Sequence, residues 1–490
     1  MALPNGADAA GQSPAELHPL MAASWQQATN DATITDTVNN TLNSRARCVA
    51  PLGTGLRDIV LGFPGWGLKA IEKPWPAPYR VTACVEYPVG TFHPVYINGQ
   101  RVQTVFPGSE TVMFEPCPIQ IPAGAIFYVK CFAFWDGGFW MGRSQACIPA
   151  LAEWTNRGAG LSDQTLTSAT FRTTALAAGF RPAVFARLDN PGVVLGILGA
   201  SQEMAYGADC SDPDTGGLFI GRAMRNLFPV MNLSRAGDSL GQYLYRNDAR
   251  RQLLLGRLTH LVLALGSNDI FAGIPVEKTI AWLKHAAEPY MANGVRVYGM
   301  TVLPRSTSSD SWVTAKNQAP VNAAFERARV AFNAKLMAGY RAMGFAGMFD
   351  GAHAIDPDDR GVWAADGLSP GYGGGGFASL VNGSVASVRL GVMGPNGPGG
   401  GGYPPNSLVP CAILNAPGDA LGAGAVIAMR TDREGKGVSF SVQNGGARYR
   451  YPPLIAARGQ WCVHDGVHEC KRGYDAVIAG SNLGPDVFLS

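Results

Sequence analysis

The sequence is poor in charge. Asp, Glu, Lys and Arg make up 15% of its 490 residues, and the formal net charge is only +3. No basic block stands out, which argues against a nucleic-acid partner or an anionic membrane surface. No uninterrupted apolar stretch reaches about 18 residues, so no membrane-spanning helix is expected. The opening segment, MALPNGADAAGQSPAELHPLMAASW, has neither a basic start nor an apolar run behind it. A Sec signal is therefore not expected, which leaves carriage on a virus particle, export by another route, or the cytoplasm. The nine cysteines are odd in number and match no zinc spacing, so reduced and mostly buried thiols are expected. Cys462 and Cys470 bracket an Asp/His segment and would clamp it if joined, but spacing does not supply the geometry a disulfide needs.

What is present points to a globular chain of two or three domains, with 47% apolar residues. The 62 glycines and 34 prolines favour short strands and turns over long helices. Residues 1–45 read as a polar, weakly helical segment. Residues 46–165 have the texture of a β-sandwich accessory domain, with strands such as Tyr79–Val85 and Ile126–Val129 and an Asn98-Gly99 hairpin turn. Six of the ten tryptophans fall within the first 154 residues. Exposed rings of that kind stack on sugars, but the commoner place for Trp in such a domain is the core or an interface. The stretch from about 155 to 190 reads as a linker.

Beyond it the rhythm changes. Apolar runs at Val193–Leu198, Phe228–Leu233, Leu261–Leu265 and Val295–Val302 alternate with helical patterns at 240–257, 276–293 and 321–343. Such alternation predicts a three-layer α/β/α domain on a parallel sheet, over residues 190–366 and 458–490. Residues 367–457 interrupt it with a small Gly/Pro-rich β insert. Its two halves look alike: Val385–Val388 leads to Tyr403-Pro404-Pro405, and Val438–Val442 leads to Tyr451-Pro452-Pro453.

Active sites of parallel α/β sheets lie beyond the carboxyl ends of the strands. There the sequence places Gly199-Ala200-Ser201, Asn232 through Gly237, and Gly266-Ser267-Asn268-Asp269. Near the end follows Asp465-Gly466-Val467-His468, with Gly473-Tyr474 behind it. A serine hydroxyl needs a base to become a nucleophile, and an imidazole supplies one near neutral pH. An aspartate three residues earlier would hold that ring in its working tautomer.

These four blocks, in this order and three of them at strand ends, resemble those of the SGNH (GDSL-like) hydrolase superfamily, with its polysaccharide O-acetyl esterases. The resemblance covers about 190–366 and 458–490. It implies Ser201 as nucleophile, His468 as base and Asp465 as its partner. It also implies an oxyanion hole made by the backbone N–H groups of Ser201 and Gly237 and the side-chain amide of Asn268. No metal or organic cofactor is implied.

The chain departs from the pattern at Ala200, where the family usually has Asp, and at Glu469, where Pro often follows the histidine. Three decoys stand nearby. A literal Gly-Asp-Ser-Leu at 237–240 offers Ser239 as nucleophile, Asp350-Gly351-Ala352-His353 offers a second Asp/His segment, and Asp366-Gly367-Leu368-Ser369 imitates the last block without its histidine. Taken one at a time, the blocks have plain readings as a helix cap, a turn and a surface histidine. The combined reading is an esterase removing O-acetyl or similar groups from a carbohydrate polymer. Its rivals are a lipase or thioesterase of the same family, and a virion tail or surface adhesive protein with a vestigial SGNH domain. Partners under the leading reading are an acylated glycan or small ester, with homo-oligomer or virion assembly left open.

Overall fold

A computed structural model describes residues 17–20, 34–36, 39–68, 72–136, 139–141, 152–171, 181–190, 192–203, 220, 223–245, 249–309, 315–363, 370–390, 406, 408–414, 422–433, 437–450, 452–458, 477–478, 480–481 and 483–489. Each of the four apolar runs contains a strand: β1 Leu195–Gly199, β2 Val230–Asn232, β3 His260–Ala264 and β4 Arg296–Met300. With β5, Gly347–Phe349, they form an all-parallel sheet in the order β2-β1-β3-β4-β5. Helices described in this part are α1 Leu240–Tyr245, α2 Ala249–Leu254, α3 Ser267–Phe271, α4 Val276–Ala292, α5 Ala323–Gly339, α6 Gly351–Ile355 and α7 Asp486–Leu489.

Successive strand residues point to opposite faces, and here both faces are buried, as parallel sheets require. Leu198, Leu261, Leu263 and Val297 join a cluster with Leu283, Tyr290, Phe332 and Leu336 from α4 and α5. Leu195, Ile197, Val262, Tyr298 and Phe349 join another with Ile355 of α6 and with Val477, Leu483 and Phe488 of the closing segment. The sheet is therefore the middle of three layers.

The N-terminal part is built mainly from two antiparallel sheets, with two short two-stranded ladders beside them. One contains Leu17–Leu20, Ala183–Leu188, Leu56–Phe63, Val112–Met113 and Cys117–Ile121; the other is centred on Ile126–Trp135, flanked by Thr41–Val49 and Tyr79–Glu86. Alternation along the central strand sends Phe127, Val129, Cys131, Ala133 and Trp135 into one cluster with Ile59, Leu61 and Phe63. Asn98 and Gly99 both take positive φ, 50° and 74°, between the bridged Ile97 and Gln100, as a two-residue hairpin turn needs.

Two expectations change here. Where residues 1–45 are described they are strands, not helix: Leu17–Leu20, Ile34–Asp36 and the start of Thr41–Val49. Polar side chains at the end of this segment are buried with partners. Thr41 Oγ1 donates to Gly158 O at 2.6 Å, Asn43 Nδ2 to Ser162 O at 3.0 Å, and Arg45 grips the Glu86 carboxylate at 2.7 and 3.0 Å. These partners show that the linker-like stretch is structural too. Trp154–Gly158 pairs with Thr41–Val49, and Ala183–Leu188 pairs with Leu56–Phe63. Of the tryptophans in this part, Trp66, Trp135 and Trp154 are buried and Trp75 is half-buried, so they serve packing.

The described residues between 370 and 458 form a six-stranded antiparallel sheet around their own apolar cluster of Val385, Val409, Cys411, Ile427, Met429, Tyr449 and Ile455. Its first and last residues, Pro370 and Arg458, are ladder partners. The two alike segments lie in Ser384–Leu390 and Gly437–Ala447, the two ends of the sheet order. Those ends meet, with Ser384 Oγ donating to Gly446 O at 2.7 Å, so the sheet curls on itself.

Candidate active site

β1 ends at Gly199, and the chain turns at Ala200, Ser201 and Glu203. Gly199 is opposite Ala264 of β3, and on the other side Arg235 N donates to Gly199 O at 3.2 Å. Neighbouring strands lie about 4.8 Å apart, so the segments after β2 and β3 flank the turn that carries Ser201. Ser201 itself is partly exposed.

Above β3, Gly266 adopts φ 126° and starts α3; a side chain there would meet the Phe332 ring at 3.2 Å, so the sharp entry requires glycine. One turn of this helix presents Asn268, whose Nδ2 donates to Asp238 O at 2.6 Å. That bond links the loop after β3 to the loop after β2, over the end of β1 that lies between them. Gly237, with φ 74°, is exposed next to Asp238. The structure thus brings Ser201, Gly237 and Asn268 to the carboxyl ends of three adjacent strands.

Asp238 is nearly fully buried and held from several directions. Arg251 Nη1 donates to its carboxylate at 2.5 Å, Arg235 Nη2 at 3.0 Å and Ser239 N at 3.0 Å. A buried carboxylate is tolerable only with such partners. The literal Gly-Asp-Ser-Leu lies at the start of α1. Ser239 Oγ accepts the Gln242 N–H at 3.2 Å as a cap of α1, and the Asp269 carboxylate accepts the Leu240 and Gly241 N–H groups at 2.8 and 3.1 Å. Desolvation raises the Asp269 pKa, while these two backbone bonds oppose the shift. Asp350 likewise caps α6, accepting from His353 N at 3.2 Å, and His353 is exposed.

Asp465, His468, Glu469, Cys462 and Cys470, and the imitation block at 366–369, lie outside the described residues. The closing segment is described again from Val477, which packs against Gly351 at the start of α6, just past the carboxyl end of β5. Among the described residues no group of His, Cys, Asp and Glu is placed to hold a metal ion, and no helix is long and apolar enough to cross a membrane. Cys48, Cys84, Cys117 and Cys131 are free and buried, Cys411 is buried as well, and burial pushes the Cys48 and Cys84 thiols up to about 12.

No family model matches the chain, and no curated protein does. Solved structures similar to it include a G-D-S-L family lipolytic protein of Desulfitobacterium hafniense, 14% identical, spanning 36% of this chain and 86% of that one with a TM-score of 0.27. An acetylxylan esterase of Geobacillus stearothermophilus is 12% identical over 33% and 78%, TM-score 0.25. A psychrotrophic esterase of a Pseudoalteromonas species is 21% identical over 32% and 76%, TM-score 0.24. The likeness is to G-D-S-L-type hydrolases and acetylxylan esterases, over about 35% of the chain.

Glu203, at the turn, escaped the sequence reading, and Asn232 was quoted there without a role. Glu203 is buried, and its Oε2 accepts the Ala200 N–H at 2.7 Å. Its side chain fills the space beside Gly199, where a Cβ would sit 2.4 Å from Glu203 Cγ. Burial pushes the Glu203 carboxyl up to about 7, partly opposed by the Ala200 N–H. Asn232, the last residue of β2, donates to Glu203 O at 2.8 Å and accepts from Ser234 N at 2.9 Å, tying the second loop to the first. No motif in the sequence marks Glu203, which stands three residues beyond Ala200.

Proposed function

We propose that this chain is a serine esterase of the SGNH type that removes O-acetyl or similar small acyl groups from a carbohydrate polymer. The observation that carries the reading is the Asn268 amide, fixed by Asp238 O over the end of β1 and beside the turn bearing Ser201. One Nδ2 hydrogen is used by Asp238, which leaves the other for a carbonyl oxygen that gains charge. Donors placed in this way stabilise the oxyanion without reorganising, and each is typically worth about 3 kcal/mol of barrier.

In this mechanism Ser201 Oγ attacks the ester carbon while His468 takes its proton and Asp465 orients the imidazole. The tetrahedral oxyanion is held by Ser201 N–H, Gly237 N–H and Asn268 Nδ2. Its collapse expels the sugar hydroxyl, which receives the proton from His468. Water, deprotonated by the same histidine, then hydrolyses the acyl-serine. Entry of the closing segment at the carboxyl edge of β5 supports a base drawn from the residues before Val477. The N-terminal sheets, read as a β-sandwich, and the Gly-rich unit would serve as walls for a large substrate.

The test is turnover of p-nitrophenyl acetate and of an acetylated glycan by the purified chain. Ser201→Ala and His468→Ala should abolish both activities, and a fluorophosphonate should label the peptide containing Ser201. An adduct on Ser239, or full activity of Ser201→Ala, would overturn the assignment.

A further inference from the structure

The loop after β4 brings a buried cation to the back of the proposed oxyanion hole. Arg305 Nη2 donates to Asn268 Oδ1 at 2.7 Å and to Ser267 Oγ at 2.8 Å, one bond for each of its two hydrogens. Its guanidinium lies over the Phe271 ring at 4.5 Å, with the Phe325 ring at 5.4 Å, and the residue is buried. The backbone is pinned as well. Val321 N donates to Arg305 O at 2.9 Å, and the next residue, Ser306, begins a short ladder with Gln318–Pro320. Upstream, Asn333 Oδ1 accepts from Val302 N at 2.8 Å and Asn333 Nδ2 donates to Val302 O at 3.0 Å.

We infer that Arg305 is the positioning residue of the oxyanion hole, acting through Asn268; this rests on the esterase reading above. The argument starts from valence. A guanidinium can only donate, so the Asn268 atom it meets must be the amide oxygen. A backbone carbonyl can only accept, so the atom at Asp238 O must be the amide nitrogen. The two neighbours therefore fix the same orientation of an amide that could otherwise flip, and they fix it from opposite ends. A cation bonded to the amide oxygen also polarises the N–H groups, strengthening the one left for the oxyanion. The effect grows as charge develops on the substrate, so it belongs to the transition state more than to the bound ester.

The experiment is steady-state hydrolysis of p-nitrophenyl acetate by the full chain carrying Arg305→Met, Arg305→Lys, Asn268→Ala, or Asn268→Ala combined with each, with circular dichroism to check folding. Asn268→Ala should lower kcat by roughly a hundredfold. Arg305→Met should lower kcat by roughly ten- to a hundredfold and leave KM within about twofold, and Arg305→Lys should recover part of the loss. In the Asn268→Ala background either Arg305 change should cost less than about threefold, because the group it acts through is gone. If Arg305→Met does not fold, Arg305→Lys carries the same comparison. An equal loss in both backgrounds, a loss confined to KM, or no loss would overturn the inference while leaving the esterase reading intact. Hydrolysis insensitive to Ser201→Ala would remove the reading itself, and this inference with it.

Discussion

Replacing Glu203 by glutamine keeps the shape of the side chain and its bond to Ala200 N–H, but removes its titration. The carboxyl is buried beside Gly199 and pushed from its ordinary 4.5 up to about 7, chiefly by loss of hydration. The folded state therefore binds this proton more tightly than the unfolded state. The stability it contributes is fully present below about pH 4.5 and is lost as pH rises through about 7. Each tenfold difference in proton affinity is worth about 1.4 kcal/mol, so the whole effect is on the order of 3 kcal/mol, of which about 2.5 falls between pH 5 and pH 8. Other groups titrate over the same range, so the quantity to measure is the difference between Glu203→Gln and the parent chain. Urea unfolding at pH 5, 6, 7 and 8 should show the variant gaining on the parent by about 2.5 kcal/mol across the series. Parallel curves would show that Glu203 ionises freely in the folded chain, and that desolvation does not govern the turn bearing Ser201.

Glu72→Ala should destabilise the chain by roughly 1–3 kcal/mol, read by urea unfolding, because its carboxylate accepts the Arg250 and Arg251 N–H groups at 3.2 and 2.7 Å at the start of α2. Glu72→Gln should recover part of this, since an amide oxygen still accepts. Excision of residues 367–457 across a short Gly linker should preserve folding and p-nitrophenyl acetate turnover while reducing activity on an acetylated polymer, because Pro370 and Arg458 are ladder partners and the unit has its own core. Loss of folding, or unchanged activity on the polymer, would remove its proposed role as a substrate wall.

The parallel sheet was legible because its signal is local. A run such as Val193–Leu198 cannot be placed anywhere but between two covering layers, and each run did hold a strand. What escaped depended on partners distant in sequence. Thr41, Asn43 and Arg45 look like surface residues until the 152–165 stretch and Glu86 are brought beside them. Arg305 and Glu203 carry no motif. One acts on a residue 37 positions earlier, and the other on a backbone N–H that only a tight turn exposes.

The three apolar clusters explain why the N-terminal sheets accompany the parallel sheet so closely. A single buried cluster runs from Leu42 and Trp135 into Leu198, Leu263 and Leu336, whereas the 370–458 unit keeps a cluster apart. β2 is one of the two outer strands of the parallel sheet and only three residues long, the kind of edge that needs cover. The N-terminal part supplies it: Leu52 N donates to Asn226 O at 2.7 Å and Gly53 N to Leu227 O at 3.1 Å, just ahead of β2. Beyond β2 comes the loop with Gly237 and Asp238. Arg251 grips the Asp238 carboxylate, and the Arg251 N–H is in turn capped by Glu72 from the N-terminal part. Both ends of the segment that carries the proposed oxyanion donor are thus braced by residues outside the α/β layers. An α/β domain cut free at residue 190 would lose that cap and expose one side of its principal core, so the loop with Gly237 and Asp238 would loosen even if the parallel sheet held.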